Sequence, residues 1–191
     1  MEKTDRTFFE RDPLACAREL IGMTFRWKRS AGMIVETEAY AEHGDEACHT
    51  FFRPSTREFV AGHAPGTAYV YLNYGMYWLV NVLCKSPDTG NCGFVLLRAL
   101  EPTTGIARMK ERRGREKLTD LCSGPGKLSI ALGIDGEDHG SDLSRKFSGR
   151  TADANSIQPD RRIGISRAQE LEWRFLLGEN PHVSVKFGKV K

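Results

Sequence analysis

Two carboxylates lie close to a tyrosine on one predicted strand. In MIVETEAY, residues 33–40, strict alternation would turn Glu36, Glu38 and Tyr40 to the same face. A carboxylate held on a rigid strand beside an aromatic ring can act as a general base next to an aromatic substrate. A structural salt bridge is the other interpretation, because a buried carboxylate needs a basic partner. The strand pattern alone leaves both open.

The acidic residues continue beyond this strand. Glu42, Asp45 and Glu46 follow Glu36 and Glu38, so five carboxylates fall within eleven residues. A solvated loop is the simplest interpretation of the last three, because charged side chains are mostly exposed. The alternative is a metal-dependent nuclease that uses Glu36, Glu38 and Asp45. That hypothesis predicts loss of activity with EDTA and cut strands as the direct product.

Four of the five tyrosines lie in YVYLNYGMY, residues 69–77. The pattern predicts two strands, 69–72 and 76–84, joined by a tight turn at 73–75 whose glycine can take a positive φ. Tyr74 then stands at the tip, where turns prefer small polar residues. It could pack onto a neighbouring loop. It could also be a wedge that enters a stack of bases.

Two polar residues interrupt strands that are otherwise apolar. Asn81 lies in WLVNVLC and Arg98 in FVLLRALEP, and burying such groups is costly unless they are paired or functional. Arg98 could pair with Glu36 or Glu38 for structural reasons alone. Alternation could bring Asn81 to the face of the hairpin that carries its tyrosines. A further candidate, His49 in EACHTFF, is a lone histidine in a predicted loop.

Composition and charge narrow the class of protein. Of the 191 residues, 40% are apolar and 28% charged, and the net charge is +3. This excess permits an anionic partner but is too small to diagnose nucleic acid. The apolar runs are too short to span a bilayer, and the N-terminus has no apolar secretory signal. We therefore expect an intracellular protein with no membrane partner.

The cysteines and histidines do not indicate a metal site. The five cysteines are an odd number without a C-x-x-C pair, which favours free thiols in an intracellular protein. No spacing resembles a zinc or iron–sulfur site. His43, His49 and His63 have no metal-binding spacing, and they could form a metal site only if the fold brought them together. We expect no metal and no cofactor.

The remaining pattern predicts one mixed α/β domain over residues 1–191, around a curved, mostly antiparallel β-sheet with flanking helices and a protruding β-hairpin. Short turns between consecutive strands favour antiparallel pairing. A long loop is expected over 41–67 and an irregular excursion over 135–160. Helices are predicted at 13–21, from 102 to 114 and from 123 to 133. The other strands are predicted at 23–40, 93–100, 162–165, 173–176 and 183–185.

Several motifs occur together and in order along the chain: ETEAY at 36–40, a histidine nine residues later, YVYLNYGMY, Asn81, LLRALEP at 96–102 and LCSGPGKL at 121–128. In this combination the chain resembles the alkyladenine (3-methyladenine) DNA glycosylase family over nearly its whole length. The resemblance implies a base-excision repair enzyme that flips a damaged purine and hydrolyses its N-glycosidic bond. An abasic site would remain, and no lyase step is expected.

The resemblance implies three groups that contact the attacking water. Glu38 would be the general base that activates the water, and Arg98 would help hold it. The backbone carbonyl of Ile163 would be a third contact. Double-stranded DNA with alkylated, deaminated or etheno purines would be the partner. The family resemblance also implies that neither metal nor organic cofactor is needed, and we expect a monomer.

The same resemblance implies the residues that bind the base. Tyr40, His49 and Tyr71 would line a pocket and sandwich the flipped base. Tyr74 would be the intercalating wedge, and Asn81 would lie on the pocket floor, where it could reject the exocyclic amine of guanine. A non-catalytic nucleic-acid platform built on surface tyrosines is the remaining alternative. It predicts that Glu38→Gln behaves like the wild type.

Overall fold

An antiparallel sheet of eight strands forms the centre of the structure, a computed structural model that describes residues 3–190. The main strand order is β3-β4-β5-β2-β1-β6, while β8 pairs with β2 and β7 with β8. The strands are β1 (Thr24–Trp27), β2 (Ser30–Ala41), β3 (Ala68–Asn73), β4 (Tyr77–Lys85), β5 (Cys92–Thr104), β6 (Phe147–Ser148), β7 (Ile157–Asp160) and β8 (Arg174–Leu177).

Helices cover both faces of this sheet. The helices are α1 (Pro13–Leu20), α2 (His49–Phe52), α3 (Pro54–Gly62), α4 (Ile106–Arg113) and α5 (Pro125–Leu132). The main apolar core lies between the sheet and the side chains of α1, α4 and α5. A smaller cluster joins α3 to the opposite face. The predicted α/β fold with a mostly antiparallel sheet is therefore confirmed.

Local sequence accounts for the helices that were predicted correctly. The Asp12 side chain accepts a hydrogen bond from the amide of Leu14, and Pro13 occupies the first helical position of α1. In α5 the helix begins at Pro125 and stops at Gly133, which adopts a positive φ. Both helices turn their apolar stripe toward the main core.

Two β-bulges between β2 and β5 determine which side chains lie on the sheet face opposite α1. Val35 on β2 and Arg98 on β5 are each skipped in the pairing register. A bulge interrupts the alternation of side chains. As a result Ile34 lies in the main core, whereas Glu36 and Glu38 contact Arg98 on the other side. Alternation through the whole of β2 would have placed Ile34 beside the carboxylates.

Two predicted boundaries are wrong. The strand expected over 23–40 is divided into β1 and β2 by a tight turn at residues 28–29, where Lys28 takes a positive φ without any glycine signal. The helix expected from 102 begins only at Ile106, because β5 continues to Thr104 and Gly105 makes the turn. The helical end near Gly114 is confirmed.

The long loop expected over 41–67 is also wrong, because it contains α2 and α3. Pro54 occupies the first position of α3, and Phe59 and Val60 bury one side of this helix against the sheet. The sequence is rich in glycine, proline and histidine, which conceals the short helical stripe. Packing against the sheet therefore overrides local composition here.

The segment 135–160 is mostly irregular, as expected, but it contributes β6 and β7. The strands expected at 162–165 and 183–185 are wrong, because neither range belongs to a strand. The amides of Ile163 and Ser184 donate instead to buried carboxylates of β2. The strand near 173–176 is confirmed as β8, one residue later.

Two further observations bear on the class of protein. All five cysteines are free thiols, as predicted. In the described part of the chain, no helix has the length and apolarity needed to cross a membrane.

Candidate active site

A cavity of about 570 Å³ opens on the sheet face opposite α1. Its walls are largely aromatic and come from the end of β2, from α2 and from the β3–β4 hairpin. Polar groups and the backbone of residues 163–167 complete the lining. This volume lies within the range of pockets that enclose small organic ligands.

The structure brings the predicted site residues together. Seven of them line the cavity directly: Tyr40, His49, Tyr71, Tyr74, Asn81, Arg98 and Ile163. The eighth, Glu38, is fully buried and contacts three of these seven. Residues from β2, α2, the hairpin, β5 and the segment after β7 therefore meet at one place.

Glu38 is held by three hydrogen-bond donors. Its Oε2 accepts from the hydroxyl of Tyr40 at 2.7 Å and from Nη1 of Arg98 at 3.2 Å. Its Oε1 accepts from the amide of Ile163 at 2.7 Å. A carboxylate offers about four lone-pair directions, so roughly one remains for a further donor. A water molecule is the smallest donor that could occupy it.

Glu36, in contrast, accepts four hydrogen bonds. It accepts from Nε of Arg98 at 3.2 Å and from Nη1 of Arg174 at 3.0 Å. The amide and the hydroxyl of Ser184 donate to the same carboxylate. Three of these donors meet Oε1 and one meets Oε2, and two of them belong to buried arginines, which indicates a structural role for Glu36.

Arg98 bridges Glu36 and Glu38, so the expected structural pairing is confirmed with both partners. Burial alone would lower the pKa of Arg98, but the charges of Glu38 and Glu36 outweigh burial and raise it above its usual value. Arg98 is therefore a permanent cation at the cavity wall. Its bulge on β5 directs the guanidinium toward the carboxylates.

Asp45 does not lie in a solvated loop, and that prediction is wrong. It is buried, and its two oxygens accept from Nη1 and Nη2 of Arg162 at 2.6 and 2.8 Å. Arg162 also donates to the carbonyl of Ala39 at 3.0 Å. This bidentate ion pair fixes the loop after β2 to the segment after β7.

Tyr40 is positioned from two sides. Its hydroxyl donates to Glu38, and the guanidinium carbon of Arg162 lies 4.7 Å from the centre of its ring. Burial, followed by the charge of Glu38, raises the pKa of Tyr40 well above its usual value. The side chain therefore stays a neutral phenol that can donate to Glu38 and present a flat ring to the cavity.

The ionic groups behind the cavity, which we call the charge cluster, form one network of five ion-paired residues and one separate ion pair, Asp45–Arg162. The charge cluster comprises Glu36, Glu38, Asp45, Asp160, Arg98, Arg162 and Arg174. Four carboxylates thus face three guanidinium groups. The excess negative charge favours a positive charge that develops in the adjacent cavity.

The opposite wall is aromatic and uncharged. The His49 ring lies 4.5 Å from that of Tyr71, and its Nδ1 is 2.9 Å from the hydroxyl of Tyr69. Burial, helped by the charge of Arg53, lowers the pKa of His49 to about 4. Burial and then Tyr69 raise the pKa of Tyr71 to about 12. Both rings are therefore neutral near pH 7 and suited to stacking.

Asn81 is fixed on the cavity wall. Its Nδ2 donates to the carbonyl of Tyr69, its partner in the hairpin register, at 3.1 Å. The side chain is buried, so the bond also offsets the cost of burying an amide.

Tyr74 stands at the tip of the hairpin in an unusual backbone conformation. Tyr74 and Gly75 have φ of 49° and 68°, and the amide of Met76 donates to the carbonyl of Asn73 at 3.0 Å. These are features of a type I′ turn, which favours glycine and asparagine. Tyr74 is 79% exposed, so its packing onto a loop is wrong. An exposed ring in a strained conformation points to a ligand contact.

The carboxylates of the nuclease hypothesis are already engaged by arginines. Glu36, Glu38 and Asp45 each lie within an ion pair of the charge cluster. Within residues 3–190, no three His, Cys, Asp or Glu side chains are grouped so as to hold a metal ion.

Sequence analysis missed the arginines that support the site. Arg162 and Arg174 are buried, and both contact carboxylates that the sequence had singled out. Arg174 is a charged residue within the apolar run WRFLL at 173–177, as Arg98 is within FVLLRAL at 94–100. The signal that identified Arg98 could therefore have identified Arg174.

Comparisons with known proteins indicate the family of this chain. The model of the methylpurine-DNA glycosylase family matches residues 7–181. A protein of Agrobacterium fabrum is 47% identical over 184 residues, which cover 95% of this chain and 92% of the relative. A protein of Rhodopseudomonas palustris (strain BisB18) is 44% identical, covering 98% and 93%. Both relatives carry the name "Putative 3-methyladenine DNA glycosylase".

Proposed function

The chain belongs to the methylpurine-DNA glycosylase family, and we propose from this premise that it flips damaged purines into the cavity and hydrolyses their N-glycosidic bond with a water activated by Glu38. The enzyme is a DNA glycosylase, a hydrolase of N-glycosyl bonds. The observation that carries the mechanism is the geometry of Glu38. Three donors hold it, about one lone-pair direction remains, and all three donors belong to residues that line the aromatic cavity.

Binding in this proposal begins with extraction of the base from the duplex. Flipping costs a few kcal/mol, and it costs least for lesions that pair weakly. Stacking on the rings of Tyr40, His49 and Tyr71 returns roughly 1–3 kcal/mol per base. Alkylated, deaminated and etheno purines are thus the substrate class. Tyr74 enters the gap that the base leaves, and Asn81 selects against the exocyclic amine of guanine.

The chemical step breaks one bond and forms another. The bond between the sugar carbon and the purine nitrogen breaks, and the purine leaves with the electron pair. Positive charge develops on the sugar, where the charge cluster favours it. The water oxygen bonds to the sugar carbon, and Glu38 accepts the water proton, which typically contributes about 10²–10⁴-fold. Arg98 and the carbonyl of Ile163 hold this water.

The product in this mechanism is an abasic site in an otherwise intact strand. Water is the nucleophile, so the enzyme is monofunctional and has no lyase step. Borohydride should therefore trap no covalent adduct with DNA. The protein acts as a monomer on double-stranded DNA inside the cell, with no metal or organic cofactor.

The test is excision from end-labelled duplexes that each contain one lesion, such as hypoxanthine, ethenoadenine or a methylated purine. We expect release of the free base and a strand that breaks only after alkali. Glu38→Gln in the same assay should release no base. Direct strand cleavage that EDTA abolishes would replace this proposal by the nuclease hypothesis. Binding without any base release would favour a non-catalytic platform.

A further inference from the structure

Two phenylalanines beside the cavity are exposed to solvent. Phe51 and Phe52 end the short helix α2 and are 50% and 48% exposed. Phe52 also lines the cavity, and its ring lies 5.5 Å from that of His49. The aromatic wall of Tyr71 and His49 therefore continues out of the cavity onto the surface. The base-binding roles described above use neither phenylalanine.

Two arginines stack on these exposed rings. The guanidinium carbon of Arg53 lies 5.6 Å from the ring centre of Phe52, and that of Arg167 lies 5.6 Å from that of Phe51. Arg167 lines the cavity as well. Neither arginine forms a salt bridge with another residue between 3 and 190. Their charges are thus available to an anionic ligand.

We call the surface formed by Phe51, Phe52, Arg53 and Arg167 the ledge. Exposed aromatic rings combined with unpaired cations are the recurring features of surfaces that bind single-stranded nucleic acid. The rings stack on bases, and the guanidinium groups contact phosphates. One acidic residue, Glu46, lines the cavity nearby, so the rim is not uniformly positive.

We propose that the ledge binds the nucleotide adjacent to the flipped one on the damaged strand. Its base stacks on Phe51 and Phe52, while Arg53 and Arg167 contact the flanking phosphates. This inference rests on the proposed function, because it requires a flipped nucleotide in the cavity. A flipped nucleotide carries its own strand to the cavity mouth, so its direct neighbour is the nearest nucleotide to Phe52.

The ledge separates into a stacking part and an ionic part, and each has its own measurement. Binding is measured with a duplex that contains a tetrahydrofuran abasic-site analogue, which has no base to hydrolyse. Phe52→Ala and Phe51→Ala should each weaken binding about tenfold, within the range for loss of one stacked base. Phe52→Tyr should keep wild-type affinity, because it keeps the ring. The matched control is Phe187→Ala, since Phe187 is 48% exposed and does not line the cavity.

The ionic part is tested by the salt dependence of binding. Each phosphate contact contributes about 0.9 to the slope of log K against log salt on duplex DNA. Arg53→Gln and Arg167→Gln should each lower the magnitude of this slope by about 1. Both side chains are exposed, so the thermal unfolding midpoints should stay near that of the wild type.

Placement on the damaged strand is tested with 2-aminopurine, whose fluorescence reports stacking. The probe next to the lesion analogue should change its signal with wild-type protein but not with Phe52→Ala. The probe on the opposite strand should respond equally to both proteins. A larger dependence on Phe52 for the opposite strand would overturn the placement. Affinities of Phe51→Ala and Phe52→Ala equal to that of Phe187→Ala, with unchanged salt slopes, would overturn the ledge itself.

Failure of the ledge and failure of the proposed function give different results. If wild-type protein excises lesions while all ledge variants bind normally, only the ledge is wrong. If wild-type protein excises no lesion, the proposed function is wrong, whatever the ledge variants do.

Discussion

The charge cluster and the ledge both contain arginines, but the arginines are ion-paired and buried in the first and exposed in the second. In the charge cluster, Arg98, Arg162 and Arg174 are buried and each contacts a protein carboxylate. On the ledge, Arg53 and Arg167 are exposed and stack on phenylalanine rings. A paired guanidinium fixes protein geometry, whereas an unpaired one is available to a ligand. The buried arginines therefore belong to the region for which we propose the chemistry, and the exposed arginines to the region for which we propose DNA binding.

The largest effect on stability should come from breaking the charge cluster. Arg98→Met leaves Glu36 and Glu38 without their shared cation, and removing one partner of a buried pair typically costs about 3–5 kcal/mol. Urea unfolding should show this loss, and Arg53→Met should show almost none. Equal losses in the two variants would erase the difference between the two regions.

The next largest effect should be on DNA binding. Tyr74→Ser removes the exposed ring at the hairpin tip, and we expect about tenfold weaker binding to lesion duplexes. The unfolding midpoint should not change, because the side chain has little packing to lose. Tyr74→Phe, which keeps the ring, is the control and should bind like the wild type. Wild-type affinity for Tyr74→Ser would rule out a wedge.

A smaller effect should appear in the pH dependence of stability. The pKa of His49 is about 4 in the folded protein, below its ordinary value of 6.5, so the unfolded chain binds the proton more tightly. The free energy of unfolding should therefore fall as pH drops below about 6.5 toward 4, by about 2 kcal/mol between pH 7 and pH 5. Urea midpoints at the two pH values measure it.

Other groups titrate in the same window, so the informative quantity is a difference between variants. His139 and His182 also have pKa values lowered by burial. His49→Gln keeps a polar side chain near Tyr69 but cannot take the proton. It should lose less stability on acidification than the wild type. Identical pH profiles would show that His49 is not held neutral by the cavity.

The last prediction is that removal of metal ions has no effect on excision. If Glu38 activates the water, excision should proceed at the same rate with and without EDTA. The rate of base release is the measurement, and re-addition of Mg²⁺ is the control for inhibition by the chelator. Loss of activity that Mg²⁺ restores would favour the nuclease hypothesis, with Glu36, Glu38 and Asp45 as candidate ligands.

Features that depend on nearby residues could be predicted from the sequence. The turn at Tyr74-Gly75 and the helix that begins at Pro13 follow from turn chemistry and capping. The pairing of Arg98 with Glu36 or Glu38 is the one long-range contact among them, and it follows from the cost of burying an unpaired charge. The family resemblance added the roles of Tyr40, His49 and Tyr71, which no periodicity could assign. Those roles stay predictions, although the residues do share one cavity.

Features that depend on tertiary contacts could not be predicted. The bulges at Val35 and Arg98 arise from the pairing register of two long strands, which no local pattern specifies. Asp45 was predicted to be solvated because its ion-pair partner, Arg162, lies 117 residues away in the sequence. Phe51 and Phe52 were assigned to a predicted loop, because a helix of 4 residues is too short to show helical periodicity in the sequence.

The central claim is that Glu38 carries the chemistry while the rim of the cavity binds DNA, and single-turnover excision at saturating enzyme tests it most directly. Under these conditions affinity no longer limits the rate. We predict that Glu38→Gln binds the lesion duplex like the wild type but excises at least about 10²-fold more slowly. Phe51→Ala, which removes a ring that does not line the cavity, should excise at the wild-type rate. Normal excision by Glu38→Gln would contradict the account.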